Sequence, residues 1–307
     1  MNEKLLLSIG GATGSGKTAL AIRLAKKYPQ LVILSADSRQ IYRHLDIGSA
    51  KVGAAGTSDI LTGRPEPVWY SEGVPQFLID IAEPNTNYSL ADYQQEAYRL
   101  ILSAWQRGYV PFLVGGTGLY IQAVVEGFVI GGEPDLVLRS ELEHLSVDAL
   151  QQRLEEVGGA VVETDRLNKR RLIRAIERAS GNVPEMKNKP LTTNQHTFVL
   201  ERSWEEQRDL APDMVQERLD LGLIDEVRHL LVQGVNKDWL QTMGLSYRLV
   251  LRMLEGEFTE MALKENMIHE FRQLMRRQRT WFRRMKQAHL MTAQEIEKEV
   301  TQILMTH

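Results

Sequence analysis

The sequence predicts an α/β protein: a parallel sheet flanked by helices and interrupted by a small helical insertion. Three observations carry this expectation. Residues 5–18 read LLLSIGGATGSGKT, an apolar strand-like run feeding a glycine-rich loop that matches G-x-x-x-x-G-K-[ST] and opens a helical pattern. A second junction of this kind, a strand followed by Gly115-Gly116-Thr117-Gly118, stands at residues 110–120. Beyond residue 130, strand-like runs give way to short leucine-spaced helices until about residue 194. The expected organisation is a P-loop NTPase-like core formed by residues 1–130 and 195–307, with residues 131–194 as the insertion.

The first strand is the apolar run 5–9, and the first helix covers 19–27, with Leu20, Ala21, Leu24 and Ala25 at helical spacing before Pro29. Between them lie Gly11, Ala12, Thr13, Gly14, Ser15, Gly16, Lys17 and Thr18. Such a loop turns backbone N–H groups toward a phosphate chain, and the helix N-terminus adds favourable partial charge. Lys17 reaches terminal phosphate oxygens, and the Thr18 hydroxyl is suited to Mg²⁺. The loop alone does not distinguish ATP from a diphosphate ester.

Residues 31–34 form a second strand and end in Ser35-Ala36-Asp37. Strand C-termini gather on the ligand side of an open parallel sheet, which brings Asp37 toward the phosphate loop. An Asp before Ser38-Arg39-Gln40 suits a helix N-cap equally well, and both readings stay open here. Residues 48–75, rich in Gly, Ser, Thr and Pro, read as a long loop with little regular structure. A third strand at 76–80 ends in Asp80, like the Mg²⁺-coordinating acidic strand of ATPases.

A helix at 92–106 and a strand at 110–114 follow, and the strand feeds the second glycine loop and another helix. Gly131-Gly132-Glu133-Pro134 breaks the pattern. The insertion then carries Leu138, Leu142 and Leu145, and next Leu150, Leu154 and Val157, with residues 160–162 its one strand-like run. Residues 181–194 read as a return linker and 197–200 as the last core strand. From Met214 the chain reads as helical, with Leu219, Leu223, Val227 and Leu231 on one face.

The chain has 307 residues, enough for a sizeable core and two domains. It has no cysteine, which excludes disulfides, thiol catalysis and cysteine-bound zinc. No apolar run is long enough to span a bilayer, and the first strand begins too early for a signal or transit peptide. A cytoplasmic protein without membrane contact is expected. The net charge of −3 conceals two basic stretches. Residues 166–178 hold Arg166, Lys169, Arg170, Arg171, Arg174 and Arg178, with Leu167, Leu172, Ile173 and Ile176 for packing. Residues 271–286 hold Arg272, Arg276, Arg277, Arg279, Arg283, Arg284 and Lys286 without one acidic residue, and Trp281 and Phe282 are interleaved. Each could be a solvated face. Two together, rich in arginine, suit a polyphosphate or nucleic-acid backbone.

In order, the chain presents the phosphate loop, Asp37-Ser-Arg-Gln-Ile-Tyr42 with Asp46-Ile-Gly-Ser-Ala-Lys51, Leu78-Ile-Asp-Ile81, and Gly115-Gly-Thr-Gly-Leu-Tyr120. Arg170-Arg-Leu-Ile-Arg174, Gly222-Leu-Ile-Asp-Glu-Val227, Met243-Gly-Leu-Ser-Tyr247 and the block 272–282 follow. This series closely resembles the tRNA dimethylallyltransferases (tRNA isopentenyltransferases), in order and over nearly the whole chain. The resemblance implies transfer of a dimethylallyl group from dimethylallyl diphosphate to N6 of the adenosine 3′-adjacent to the anticodon, with Mg²⁺ as cofactor and diphosphate released. It assigns Asp37 as general base, Thr117 near the reacting centre and Lys17 on the leaving diphosphate. It implies tRNA contacts at Asp37, Ser38, Arg39, Gln40, Arg170, Arg171 and Arg174, with Arg139 as a further match. Arg276 and Arg277 join them from the second basic stretch, and a monomer acting on the anticodon stem-loop is expected.

Three departures from the family pattern stand out. Residues 52–74 are longer than in most relatives, and Pro75-Gln76-Phe77 replaces their paired histidines. The insertion is short. Met214 occupies the place of an arginine expected near the diphosphate, which leaves Arg218 or another basic residue to compensate. The chain ends without the zinc-finger extension of eukaryotic relatives, as expected of a bacterial-type enzyme. The competing readings are a P-loop kinase of a small metabolite with Asp80 on Mg²⁺, a non-catalytic RNA-binding module, and a prenyltransferase of the adenylate type.

Overall fold

The computed structural model describes residues 4–128, 136–161, 163, 166–181, 189–285 and 288–307. The motif at 131–134, Val162, residues 182–188 of the expected linker and Lys286 lie outside them. Two units result: Met1–Gly127 with Pro190–His307, and Phe128–Lys189.

The first unit is built on one sheet. In chain order its strands are β1 (Leu6–Gly10), β2 (Leu31–Ser35), β3 (Ala54–Ser58), β4 (Glu66–Ser71), β5 (Val74–Phe77), β6 (Val110–Gly115), β7 (Gln195–Leu200) and β8 (Ala288–Met291). Their spatial order is β3-β4-β5-β2-β6-β1-β7-β8. From β5 to β8 every neighbouring pair is parallel. Alternation along the strands gives the sheet two apolar faces. Leu6, Val32, Leu34 and Leu113 pack with α2 (Leu90–Gln106) and α3 (Gly118–Glu126). Leu7, Ile9, Ile33 and Phe112 pack with α1 (Lys17–Lys27) and α12 (Ala293–Thr306). With both faces covered, the central strands β1, β2 and β6 are buried from end to end.

Residues 48–75 are not a structureless loop. They contain the antiparallel pairs β3–β4 and β4–β5, and Glu72 (φ 50°) and Gly73 (φ 80°) make the tight turn between the latter two. The aromatic and β-branched run Val68-Trp69-Tyr70 supplies the strand, outweighing the loop-like composition around it. The strand expected at 76–80 stops at Phe77, because Leu78 (φ 65°) and Asp80 (φ 59°) adopt left-handed backbone. Residues 197–200 are not the last strand, since β8 adds beside β7.

The helical part begins earlier than Met214. It comprises α7 (Trp204–Asp220), α8 (Leu223–Val232), α9 (Lys237–Thr242), α10 (Leu245–Leu254) and α11 (Glu260–Arg284). The single face expected through 219–231 is broken where Gly222, at φ 94°, starts α8. Val215, Val227, Tyr247, Leu251, Met267 and Phe271 pack these helices around Ile41 and Leu45.

The second unit contains α4 (Leu136–Glu143), α5 (Val147–Glu156) and α6 (Lys169–Ser180) around Leu142, Leu150, Leu154, Leu172 and Ile176. Leu167, expected to pack, is 82% exposed because α6 starts two residues after it. Residues 160 and 161 form no strand.

Candidate active site

The phosphate loop leads directly into α1. Gly16 is its N-cap at φ 89°, a conformation that disfavours a side chain, and no side chain caps the helix. The first N–H groups of α1 therefore face outward. Within the loop, Ser15 donates its N–H to the Ala12 carbonyl at 3.1 Å, and Thr13 donates its own to Gln278 Oε1 at 2.8 Å. The N–H groups of Gly14, Gly16, Lys17 and Thr18 have no acceptor among the described residues, which leaves them for an anion. Ser15 Oγ is buried without a partner among the described residues. Burial lowers the pKa of the Lys17 ammonium, and the nearby Asp37 carboxylate opposes that shift.

Asp37 follows β2 but caps no helix. Residues 38–42 run as turns, so the N-cap reading fails. Asp37 Oδ1 accepts the Arg39 N–H at 2.9 Å, and its second oxygen carries no partner among the described residues. The adjoining backbone is held from β6. Thr117 donates its N–H to the Ala36 carbonyl at 3.1 Å, and its Oγ1 accepts the Ser38 N–H at 3.0 Å. A side chain at Gly115 would collide with that same Ala36 carbonyl, so the close approach requires glycine. Thr117 occupies the N-cap position of α3 without capping it, because its hydroxyl is turned to Ser38.

One cavity of about 610 Å³ joins these parts: Lys17 and Thr18 line it together with Asp37 and Thr117. Its remaining wall comes from α7, α10 and α11, through Met214, Arg218, Leu245, Phe271, Arg277 and Gln278. Arg218 is 5% exposed and lies over the Phe271 ring at 4.8 Å. One Nη donates to the Met214 carbonyl at 2.6 Å, while Nε is buried without a partner among the described residues. Burial lowers its pKa, opposed by the charge of Glu217 and by Tyr247. A buried guanidinium with no carboxylate on it is costly in isolation, and an anion in the cavity would offset that cost.

A second tier holds the loop after Asp37. Glu226 accepts the N–H groups of Asp46, Ile47 and Gly48 at 2.7–3.1 Å and the Tyr247 hydroxyl at 2.9 Å. Gln40 accepts from Ser35 and donates to the carbonyls of Ser49 and Ala50. Arg39 lines the cavity beside Ser38.

Asp80 is elsewhere. It pairs with Lys51, whose side chain is fully buried, and accepts from Trp69 Nε1 at 2.6 Å. Lys51 also meets Asp46 at 2.7 Å and the Tyr42 carbonyl at 2.7 Å. This carboxylate balances a buried ammonium and does not line the cavity of the phosphate loop, which removes the acidic-strand reading.

The basic residues divide. On α6, Arg170 and Arg171 are exposed, whereas Arg174 and Arg139 both bond to Glu177 at 2.7–2.9 Å. Burial alone would raise the Glu177 pKa, but these hydrogen bonds outweigh it and hold it low. On α11, Arg276 stacks over Trp204 at 4.6 Å and Arg277 lines the cavity. Arg279 and Arg283 turn to Glu201.

Comparison with known proteins gives a consistent result. The family model described as IPP transferase matches residues 40–285, and that described as isopentenyl transferase matches residues 4–61. The tRNA dimethylallyltransferase 1 of Syntrophus aciditrophicus is 37% identical over 290 residues, spanning 92% of this chain and 90% of the relative. The tRNA dimethylallyltransferase 2 of Syntrophotalea carbinolica is 38% identical over 285 residues, with the same coverage of both chains. The chain belongs to the IPP transferase family. The crystal structure of a tRNA isopentenylpyrophosphate transferase from Bacillus halodurans superposes with a TM-score of 0.70 at 29% identity, covering 99% of this chain and 96% of that one.

In this IPP transferase, sequence reasoning missed two residues of the site. Glu226 follows Asp225 in the 222–227 block and could have been singled out as the acid that a backbone turn needs. Gln278 is an uncharged polar residue among arginines, a break in the charge run that marked a different task. Among the described residues, no helix is long and apolar enough to cross a membrane.

Proposed function

We propose that this chain transfers a dimethylallyl group from dimethylallyl diphosphate to N6 of the adenosine 3′-adjacent to the anticodon of tRNA, as a cytoplasmic monomer. The observation that carries this reading is the shared cavity: a glycine loop fit to cradle phosphate at one wall and an Asp37 carboxylate oxygen without a partner among the described residues at another. Membership of a family whose similar members are named tRNA dimethylallyltransferases supports the choice of substrates.

The roles follow from charge. As the bond from C1 of the donor to the diphosphate oxygen breaks, negative charge builds on the leaving group. Lys17, the outward loop N–H groups and Arg218 stand ready to stabilise it. The N6 lone pair forms the new bond to C1 and leaves a cationic nitrogen, whose proton passes to Asp37. Thr117 fixes the Asp37 segment through Ala36 and Ser38. Thr18 fits Mg²⁺ as a sparse oxygen donor in a site where substrate phosphates supply further ligands, and the ion would add charge stabilisation on the diphosphate. The target base must leave the anticodon-loop stack, which costs a few kcal/mol. Ser38, Arg39, Gln40, Arg139, Arg170, Arg171, Arg174, Arg276 and Arg277 are proposed to offset this through RNA contacts.

Mass analysis of anticodon stem-loop RNA after incubation with dimethylallyl diphosphate and Mg²⁺ tests the reading. A five-carbon addition to the adenosine next to the anticodon is expected. Turnover of ATP without modified RNA would replace this reading with the kinase.

A further inference from the structure

Gln278 sits on α11, 265 residues from the loop it touches, and its amide is used at both ends. Oε1 accepts the Thr13 N–H at 2.8 Å, and Nε2 donates to the Gly116 carbonyl at 3.1 Å. A carbonyl meets a donor at one end and an NH₂ meets an acceptor at the other, so the amide has only one workable orientation. Thr13 belongs to the phosphate loop. Gly116 belongs to the loop whose next residue, Thr117, holds Ala36 and Ser38 on either side of Asp37. The path phosphate loop–Gln278–Gly116–Thr117–Asp37 segment is therefore continuous. Gln207, 1% exposed, steadies the far side of Thr13, donating to its carbonyl at 3.4 Å and accepting from Arg279 at 2.8 Å.

We propose that Gln278 is a positioning residue for the transfer reaction, fixing the spacing between the leaving-group cradle and the segment that presents the base. The idea rests on the proposed dimethylallyl transfer. In-line transfer needs the reacting atoms about 3–3.5 Å apart, and misplacement by about 1 Å costs on the order of 10²-fold in rate. β1 and β6 pair as far as Gly10 and Gly115, and Gln278 clamps the two glycine loops beyond that pairing, so without it the loops lose this clamp although their strands stay paired. Gln278 touches no reacting atom in this role.

The test uses the full chain with anticodon stem-loop RNA, dimethylallyl diphosphate and Mg²⁺. Gln278→Met keeps the side-chain length and removes both bonds. Gln278→Glu keeps the acceptor for Thr13 and faces the Gly116 carbonyl with an oxygen. Gln278→Asn is too short to reach both loops and serves if the Met variant does not fold. The expected result is kcat lowered on the order of 10²-fold in the Met or Asn variant, with RNA affinity and melting midpoint near wild type. The Glu variant should lie between it and wild type. Unchanged kcat with weaker RNA binding would make Gln278 an RNA contact, and unchanged kcat with a lower midpoint would make it structural. Either outcome overturns the proposal. Wild-type prenylation in the same assay separates this failure from failure of the functional reading, since an inert wild type overturns both.

Discussion

Arg218 donates to the carbonyl of Met214 at 2.6 Å, one helical turn back along α7, and both residues line the cavity of the phosphate loop. The Met214 sulfur stands over Gly14 of that loop. We propose that Arg218 supplies, from the next turn of the same helix, the cation that the family pattern places at position 214. Arg218→Met should weaken donor binding by about 1.5–3 kcal/mol, the worth of a charge-assisted hydrogen bond, with RNA affinity unchanged. Calorimetric titration with inorganic diphosphate measures it; equal affinity in variant and wild type would leave Arg218 a purely structural role.

Asp37→Asn should lower kcat by about 10²–10⁴-fold while RNA affinity stays close to wild type. The substitution preserves shape and the acceptor for the Arg39 N–H, and removes the proton acceptor. Steady-state prenylation with RNA and donor in saturating excess reads this out. A large loss of affinity at normal turnover would reassign Asp37 to RNA binding.

Burial sets the Lys17 pKa below the ordinary 10.5. The ammonium is therefore lost, as pH rises, earlier than in a free lysine. Diphosphate affinity of the free enzyme should decline with rising pH as that proton is lost. Lys17→Arg should move the decline to higher pH, because a guanidinium keeps its proton. Binding curves of identical pH dependence for both proteins would contradict the assignment.

Asp80→Asn should destabilise the fold by about 1–3 kcal/mol, because it removes one of the two carboxylates on a buried ammonium and leaves Asp46, and should leave the Mg²⁺ dependence of turnover unchanged. Urea unfolding and a Mg²⁺ titration check the two halves. A shifted Mg²⁺ requirement would revive the metal-ligand reading.

The site was legible in the sequence where its chemistry is local. Residues 11–18 carry the phosphate loop in a single turn, and the strand and helix on either side were visible from apolar spacing. The parallel core followed, since strands buried on both faces read as continuous apolar runs. Composition misled at 48–75, where Gly, Ser and Pro hid the strands on either side of the Glu72-Gly73 turn.

By itself the sequence determined that this chain places a glycine loop, the proposed phosphate cradle, on an α/β sheet and presents Asp37 near it. Only the tertiary structure decided what surrounds that cradle. Asp37 is no helix cap because Thr117, 79 residues away in the chain from its partner Ser38, holds the adjoining backbone in a turn. Asp80 is no metal ligand because Lys51 is buried against it. Gln278 bonds to the loop and Arg218 lines its cavity, each from a helix far along the chain. The physical reason is common to all four: a side chain's task depends on the partner that burial forces on it, and such partners come from distant sequence.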